Sequence, residues 1–162
     1  MNADRKFLEQ VIQNTLCGNG AHVGVKAAFD GLDWKLAGVQ PRGVSHSTFQ
    51  LLNHMIYWDR WVVQWLIGQK PLVPKHAQGS WPGKTAPQTA EEWHEALHHL
   101  DQEMREITRA VQEADLIAKR GPKTPLEMLQ TIASHNSYHL GQVVLVRQGL
   151  GGWPPPSGGL TW

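Results

Sequence analysis

The sequence predicts an all-α protein, a bundle of four main helices or of five if the first is split, on three observations. Apolar residues recur at alternating spacings of three and four. No stretch alternates apolar and polar residues in the manner of a strand, and helix-start and helix-stop residues bracket the apolar segments. At 162 residues and 18.1 kDa the chain reads as one domain, 1–162, large enough to bury a core without disulfides or a structural metal.

The N-terminal part is the least regular. "ADRKFLEQVIQNTL" reads as helix, "CGNG" breaks it, "AHVGVKAAFDGL" resumes it, and "WKLAGVQPRG" leaves as loop. The next helix lies in "SHSTFQLLNHMIYWDRWVVQWLIG", with Ser45 or Ser47 as N-cap and Gly68 and Pro71 as terminators. In "TAEEWHEALHHLDQEMREITRAVQEADL" the residues Trp93, Leu97, Leu100, Met104, Ile107, Val111 and Ala114 form an apolar seam, and Thr89 with Glu92 makes a capping box at its start. The last helix opens on Thr124, Pro125 and Glu127, a second capping box with proline at the first helical position, and runs to about Gln148 before Gly149 stops it.

Two irregular segments remain. Gln69 to Gln88 is long for a connection within a compact domain, which marks a functional cover or a mobile connector. The tail 149–162 joins stiff prolines and flexible glycines to Trp153 and Trp162, and it is expected to pack on the bundle or on a partner subunit.

Composition excludes several classes. Fifteen Lys+Arg against fourteen Asp+Glu, with no block of one sign, leave no electrostatic footprint for nucleic acid. No apolar run approaches the roughly 20 residues of a membrane span. A single cysteine, Cys17, and an N-terminus without an apolar h-region make a reducing cytoplasm the expected location. There is no GxSxG elbow or phosphate-binding loop, and neither HExxH nor a Glu-x-x-His pattern accompanies the candidate ligands His54, His135 and His139.

Nine histidines and eight tryptophans stand out. On the last helix Leu129, Ile132, Asn136, His139, Val143 and Val146 follow the apolar seam and His135 borders it. At about 100° per residue, His135 and His139 lie about 40° apart, with Gln142 on the same side. This polar patch in an apolar face needs partners from another element. His54, among Leu51, Tyr57, Trp58, Trp61 and Trp65, offers one. Two imidazoles at i and i+4 with a third from a facing helix can hold one ion and leave positions open. Core histidines hydrogen-bonded to carbonyls or water fit the same spacing. His94, His98 and His99 flank the seam of their helix and read as a solvated face. His46 sits at a helix start and His76 in the long loop, and neither is expected to be a ligand; His22 is undetermined.

At these residues the sequence resembles the DinB-like (YfiT/damage-inducible) superfamily. "HNSYHLGQVVLVRQ" is similar to its closing motif and "SHSTFQLLNHMIYWDRWVVQWLIGQKP" to the earlier motif carrying the first histidine. "GVKAAFDGLDWKLAG" and "WPPPSGGLTW" extend the resemblance over nearly the whole chain. It implies an up-and-down four-helix bundle of DinB type, often a homodimer, with a divalent metal such as Zn or Ni, or Fe, held by His54, His135 and His139. Tyr138 and Gln142 match recurrent positions of the motif, with no catalytic role assigned.

Characterised members of that superfamily include thiol S-transferases, a thiol-dependent isomerase and metal-dependent hydrolases, and many members have no known activity. The expectation is a metal-dependent enzyme joining a low-molecular-weight thiol to an electrophilic co-substrate, with Tyr57, Trp58, Trp61 and Trp81 walling the electrophile pocket. The alternatives are a hydrolase and a non-catalytic metal-binding or stress-response bundle.

Overall fold

The computed structural model describes residues 3–18 and 21–159. Among these it is all-helical: α1 (Ala3–Cys17), α2 (Val25–Phe29), α3 (Trp34–Ala37), α4 (Thr48–Leu66), α5 (Ala90–Glu113) and α6 (Pro125–Gly149), with a 3₁₀ turn at Ala77–Ser80. α4 packs against both α5 and α6, while α1 lies against α6 and α5.

The helix starts follow from capping chemistry. Ser47 accepts from the Gln50 amide while the Gln50 side chain returns to the Ser47 N–H, and Thr124 and Glu127 do the same for α6. At α5 only half of the expected box forms. Thr89 accepts from the Glu92 N–H, but the Glu92 carboxylate turns to Lys84 and to the Gln88 N–H, 2.7 Å away. The expected loop over "WKLAGVQPRG" also contains a turn of helix, α3, because the Asp33 carboxylate accepts from the Lys35 N–H and caps it. Past α4, Gly68 takes the left-handed φ of +91° that ends the helix.

The contacts at the helix ends give the succession. The start of α4 meets the segment before α5, where the Ser47 hydroxyl donates to the Thr85 carbonyl. The end of α4 meets the segment after α5, where Arg120 donates to the Trp65 and Leu66 carbonyls. α4 and α5 therefore run in the same direction, and the expected up-and-down order does not hold for this pair. The physical reason is the connection from Ile67 to Thr89, which is long enough to return along the full length of α4. Arg5 at the start of α1 reaches the end of α5, so α1 runs opposite to it.

Two apolar clusters fill the interior. One takes Phe49, Leu52 and Met55 of α4 with Leu140, Val143 and Val146 of α6; the other takes Val62 and Leu66 with Leu129, Ile132 and Ala133. α4 meets them in one order and α6 in the other, so these helices are antiparallel. Between the clusters both helices carry polar residues at the same height: His54 and Asp59 on α4, His135, Asn136 and His139 on α6.

The tail folds back along the body through residue 159. Leu150 and Trp153 pack on the first cluster, the Arg147 guanidinium lies over the Trp153 ring, and the Ser157 N–H donates to Asp30. Trp162 lies outside the described residues. No helix among the described residues is long and apolar enough to cross a membrane.

Candidate metal centre

The polar layer brings His54, His135 and His139 together so that one ring nitrogen of each lies within 4.8 Å of the others. His54 and His139 are buried and His135 half-buried. Each imidazole has one nitrogen against an oxygen. His54 Nδ1 is 3.1 Å from the Ser80 carbonyl, His135 Nδ1 is 3.1 Å from Asn136 Oδ1, and His139 Nδ1 is 2.7 Å from Gln142 Oε1.

Those oxygens are acceptors only, so each Nδ1 must carry the ring's proton, and a neutral imidazole has only one. The three Nε2 atoms are left with bare lone pairs. His54 Nε2 and His135 Nε2 stand 3.2 Å apart. Two nitrogens bound tetrahedrally to one ion at roughly 2.0–2.1 Å would be about 3.4 Å apart. Converging lone pairs repel in the absence of a cation and are satisfied by one, so the donor set fits a divalent metal. No carboxylate or cysteine joins this group among the described residues.

The electrostatics agree. Burial pushes His54 and His139 each down to about 4, against the upward pull of the Ser80 and Gln142 hydrogen bonds, and it lowers His135 as well. All three rings are thus neutral, ligand-ready bases near neutral pH.

The long connection covers the layer. Its 3₁₀ turn presents the Ser80 carbonyl to His54, and the next residue, Trp81, stacks on the His54 ring at 3.8 Å with a 6° interplanar angle. His46 stacks on Trp81 at 3.7 Å, making a three-ring pile. Trp58 meets the edges of His54 and His135, with centroids 6.4 Å away in each case. Tyr57 and Trp61 touch Trp58 rather than the histidines, and the Trp61 indole N–H donates to the Leu72 carbonyl. Tyr138 is 65 % exposed and meets His139 edgewise.

The aromatic residues around His54 lie off the deepest face of α4. Its deepest residues include Leu51, Leu52, Met55 and Asp59, while Tyr57, Trp58, Trp61 and Trp65 are half-buried on the flank. A cavity of about 530 Å³ beside Trp81 is lined by Ser45, His46, Gln50 and Gln78. A larger one, about 1050 Å³, lies between the α2 segment and α5 against Phe29, Trp93 and Leu97, away from the three histidines. His94, His98, His99 and His76 are exposed, and His22 is held by Ser137 Oγ and the Val23 carbonyl.

Sequence reasoning missed two partners of the layer. Asp59 is fully buried, and its one readable signal was a carboxylate in the apolar run "MIYWDRWVV". The Ser80 carbonyl had none, since a main-chain contact leaves no trace in residue type.

No curated protein and no solved structure matches the chain. The family model described as the DinB superfamily matches residues 24–143, well over half of the sequence and inclusive of all three histidines. An all-helical chain with three convergent imidazoles, matched over that span, belongs to the DinB superfamily.

Proposed function

We propose that the protein is a metal-dependent enzyme whose ion is held by His54, His135 and His139 through Nε2, and that its reaction transfers a low-molecular-weight thiol to an electrophile. The observation that carries the reading is the convergence of one ring nitrogen from each histidine to within 4.8 Å of the others, with each Nδ1 against an oxygen and no fourth side-chain ligand in the group. When bound, a Zn or Ni ion among three neutral imidazoles supplies undiminished positive charge, which favours the thiolate form of a thiol near neutral pH.

The chain's own residues do the rest. Ser80, Asn136 and Gln142 fix the tautomers, Trp81 and Trp58 exclude water from two sides of the imidazoles, and the polar cavity beside His46 and Trp81 receives the co-substrate. Support for a thiol over water as nucleophile comes from the absence of a carboxylate base in the histidine group.

The first test is metal content of untagged protein by mass spectrometry, wild type against His135→Ala. About one ion per chain in the wild type and none in the variant is the expected result. Thiol conjugation is then assayed with and without chelator, and equal rates in both would rule out the metal-dependent transfer.

A further inference from the structure

Asp59 is the most deeply buried of the described acids and lies outside the histidine group. It is 0 % exposed, five residues past His54 on α4, and sits at the height of the polar layer. Its Oδ1 accepts from Asn136 Nδ2 at 2.8 Å, and its Oδ2 has no partner among the described residues. Asn136 is 1 % exposed, and its other amide atom, Oδ1, faces His135 Nδ1 at 3.1 Å. Glu103, which faces the same region, is drawn off by Arg60 at 2.8 Å.

An amide side chain has two ends of opposite hydrogen-bonding character and similar shape, so its orientation is set by its partners. A carboxyl oxygen at one end selects the NH₂ there and forces the carbonyl oxygen toward the other. The oxygen placed on His135 Nδ1 then requires the proton on Nδ1. With nothing to hold Nδ2, the amide is free to turn and donate to Nδ1, which drives the ring proton to Nε2, the ligand atom.

We infer that Asp59 is a positioning residue, which acts through Asn136 to hold His135 in the tautomer that presents Nε2 to a divalent cation. This inference rests on the metal reading above and adds a residue outside the ligand set. It also accounts for a buried carboxyl with one empty oxygen, an arrangement that costs stability and has no packing rationale.

The test uses full-length protein labelled with ¹⁵N and stripped of metal, with the tautomer of each histidine read by long-range ¹H–¹⁵N correlation. Zn²⁺ affinity is measured separately by competition with a chelating dye. Wild-type His135 is expected as the Nδ1–H form. In Asp59→Leu, folded by circular dichroism, His135 shifts toward Nε2–H while His54 and His139 do not, and Zn²⁺ affinity falls about 10–100-fold. Asp59→Asn, which can still accept from Asn136, returns both readouts toward wild type.

An Nε2–H His135 in the wild type overturns the inference with no variant needed, as does a folded Asp59→Leu with an unchanged His135 tautomer. If Asp59→Leu does not fold, a wild-type Nδ1–H tautomer retained in Asp59→Asn supports the inference. A tautomer shift in Asp59→Leu combined with no Zn²⁺ binding by the wild type upholds the relay and removes the metal reading.

Discussion

His54 and His139 on one side and Asp59 on the other respond to acid with opposite sign. The two imidazoles are held down to about 4 by burial, so between roughly 6.5 and 4 the unfolded chain binds more protons than the folded one. Their contribution to stability is full above the unfolded value and is lost as pH falls. Asp59 is raised to about 7, chiefly by burial and with the nearby Glu103 charge adding to it, against the Asn136 hydrogen bond. Between about 3.8 and 7 the folded chain binds the extra proton, so this contribution is lost as pH rises. The expected outcome, for urea unfolding in chelator, is a shallow pH dependence in the wild type. Asp59→Asn removes the opposing group, and stability should then rise more steeply from pH 4 to 6.5. An identical slope in both proteins would mean that Asp59 ionises alike in the folded and unfolded chains.

At the level of elements, the distinctive feature is how the helices end. α4 and α5 carry no basic residue in their last turns, so their final carbonyls face the negative end of the helix dipole without a local cation. Arginines from elsewhere supply it. Arg120 donates to the Trp65 and Leu66 carbonyls, and Arg5 to those of Val111, Gln112 and Ala114. Arg147, 2 % exposed, serves the Ala28 and Asp30 carbonyls beside α2. Arg5→Ala should cost about 2–3 kcal/mol, since it strips these carbonyls and leaves the buried Glu9 without its 2.6 Å partner. The exposed neighbour Lys6→Ala should stay within about 0.5 kcal/mol. Chemical denaturation of the two variants separates the cap from a general loss of charge.

The helices themselves were legible because their signals are local: Ser47, Thr89 and Thr124 cap where residue type and spacing place them, and the seam of α5 is buried or half-buried throughout. The histidine triplet was legible because His135 and His139 interrupt a seam. The parallel course of α4 and α5 was not read, although a connection of this length is what such a course demands. The depth of Asp59 and the aromatic flank of α4 depend on the angle at which α5 and α6 meet that helix, which no single segment encodes.

For the molecule as a whole, an ion held by His54, His135 and His139 would join α4 to α6 and link metal binding to folding. At a free Zn²⁺ concentration of 100 times Kd, the folded state gains about 2.7 kcal/mol, or about 5–10 °C in Tm for a chain of this size. Scanning calorimetry should show that rise in the wild type and not in His135→Ala. An equal rise in both would place the ion elsewhere, with the exposed His94 and His98 the first residues to substitute.

The arginine caps also bear on how fast the fold is reached. Arg147 meets carbonyls 119 and 117 residues earlier in sequence, and Arg5 meets others 109 and 106 residues later. Closing a loop of that length costs about 4 kcal/mol of chain entropy before any bond repays it. Helical proteins dominated by local contacts refold within microseconds to milliseconds. Here the helices can form on that timescale, but their ends wait for partners from the far side of the sequence. Refolding therefore keeps the pace of the longest closure rather than that of helix growth.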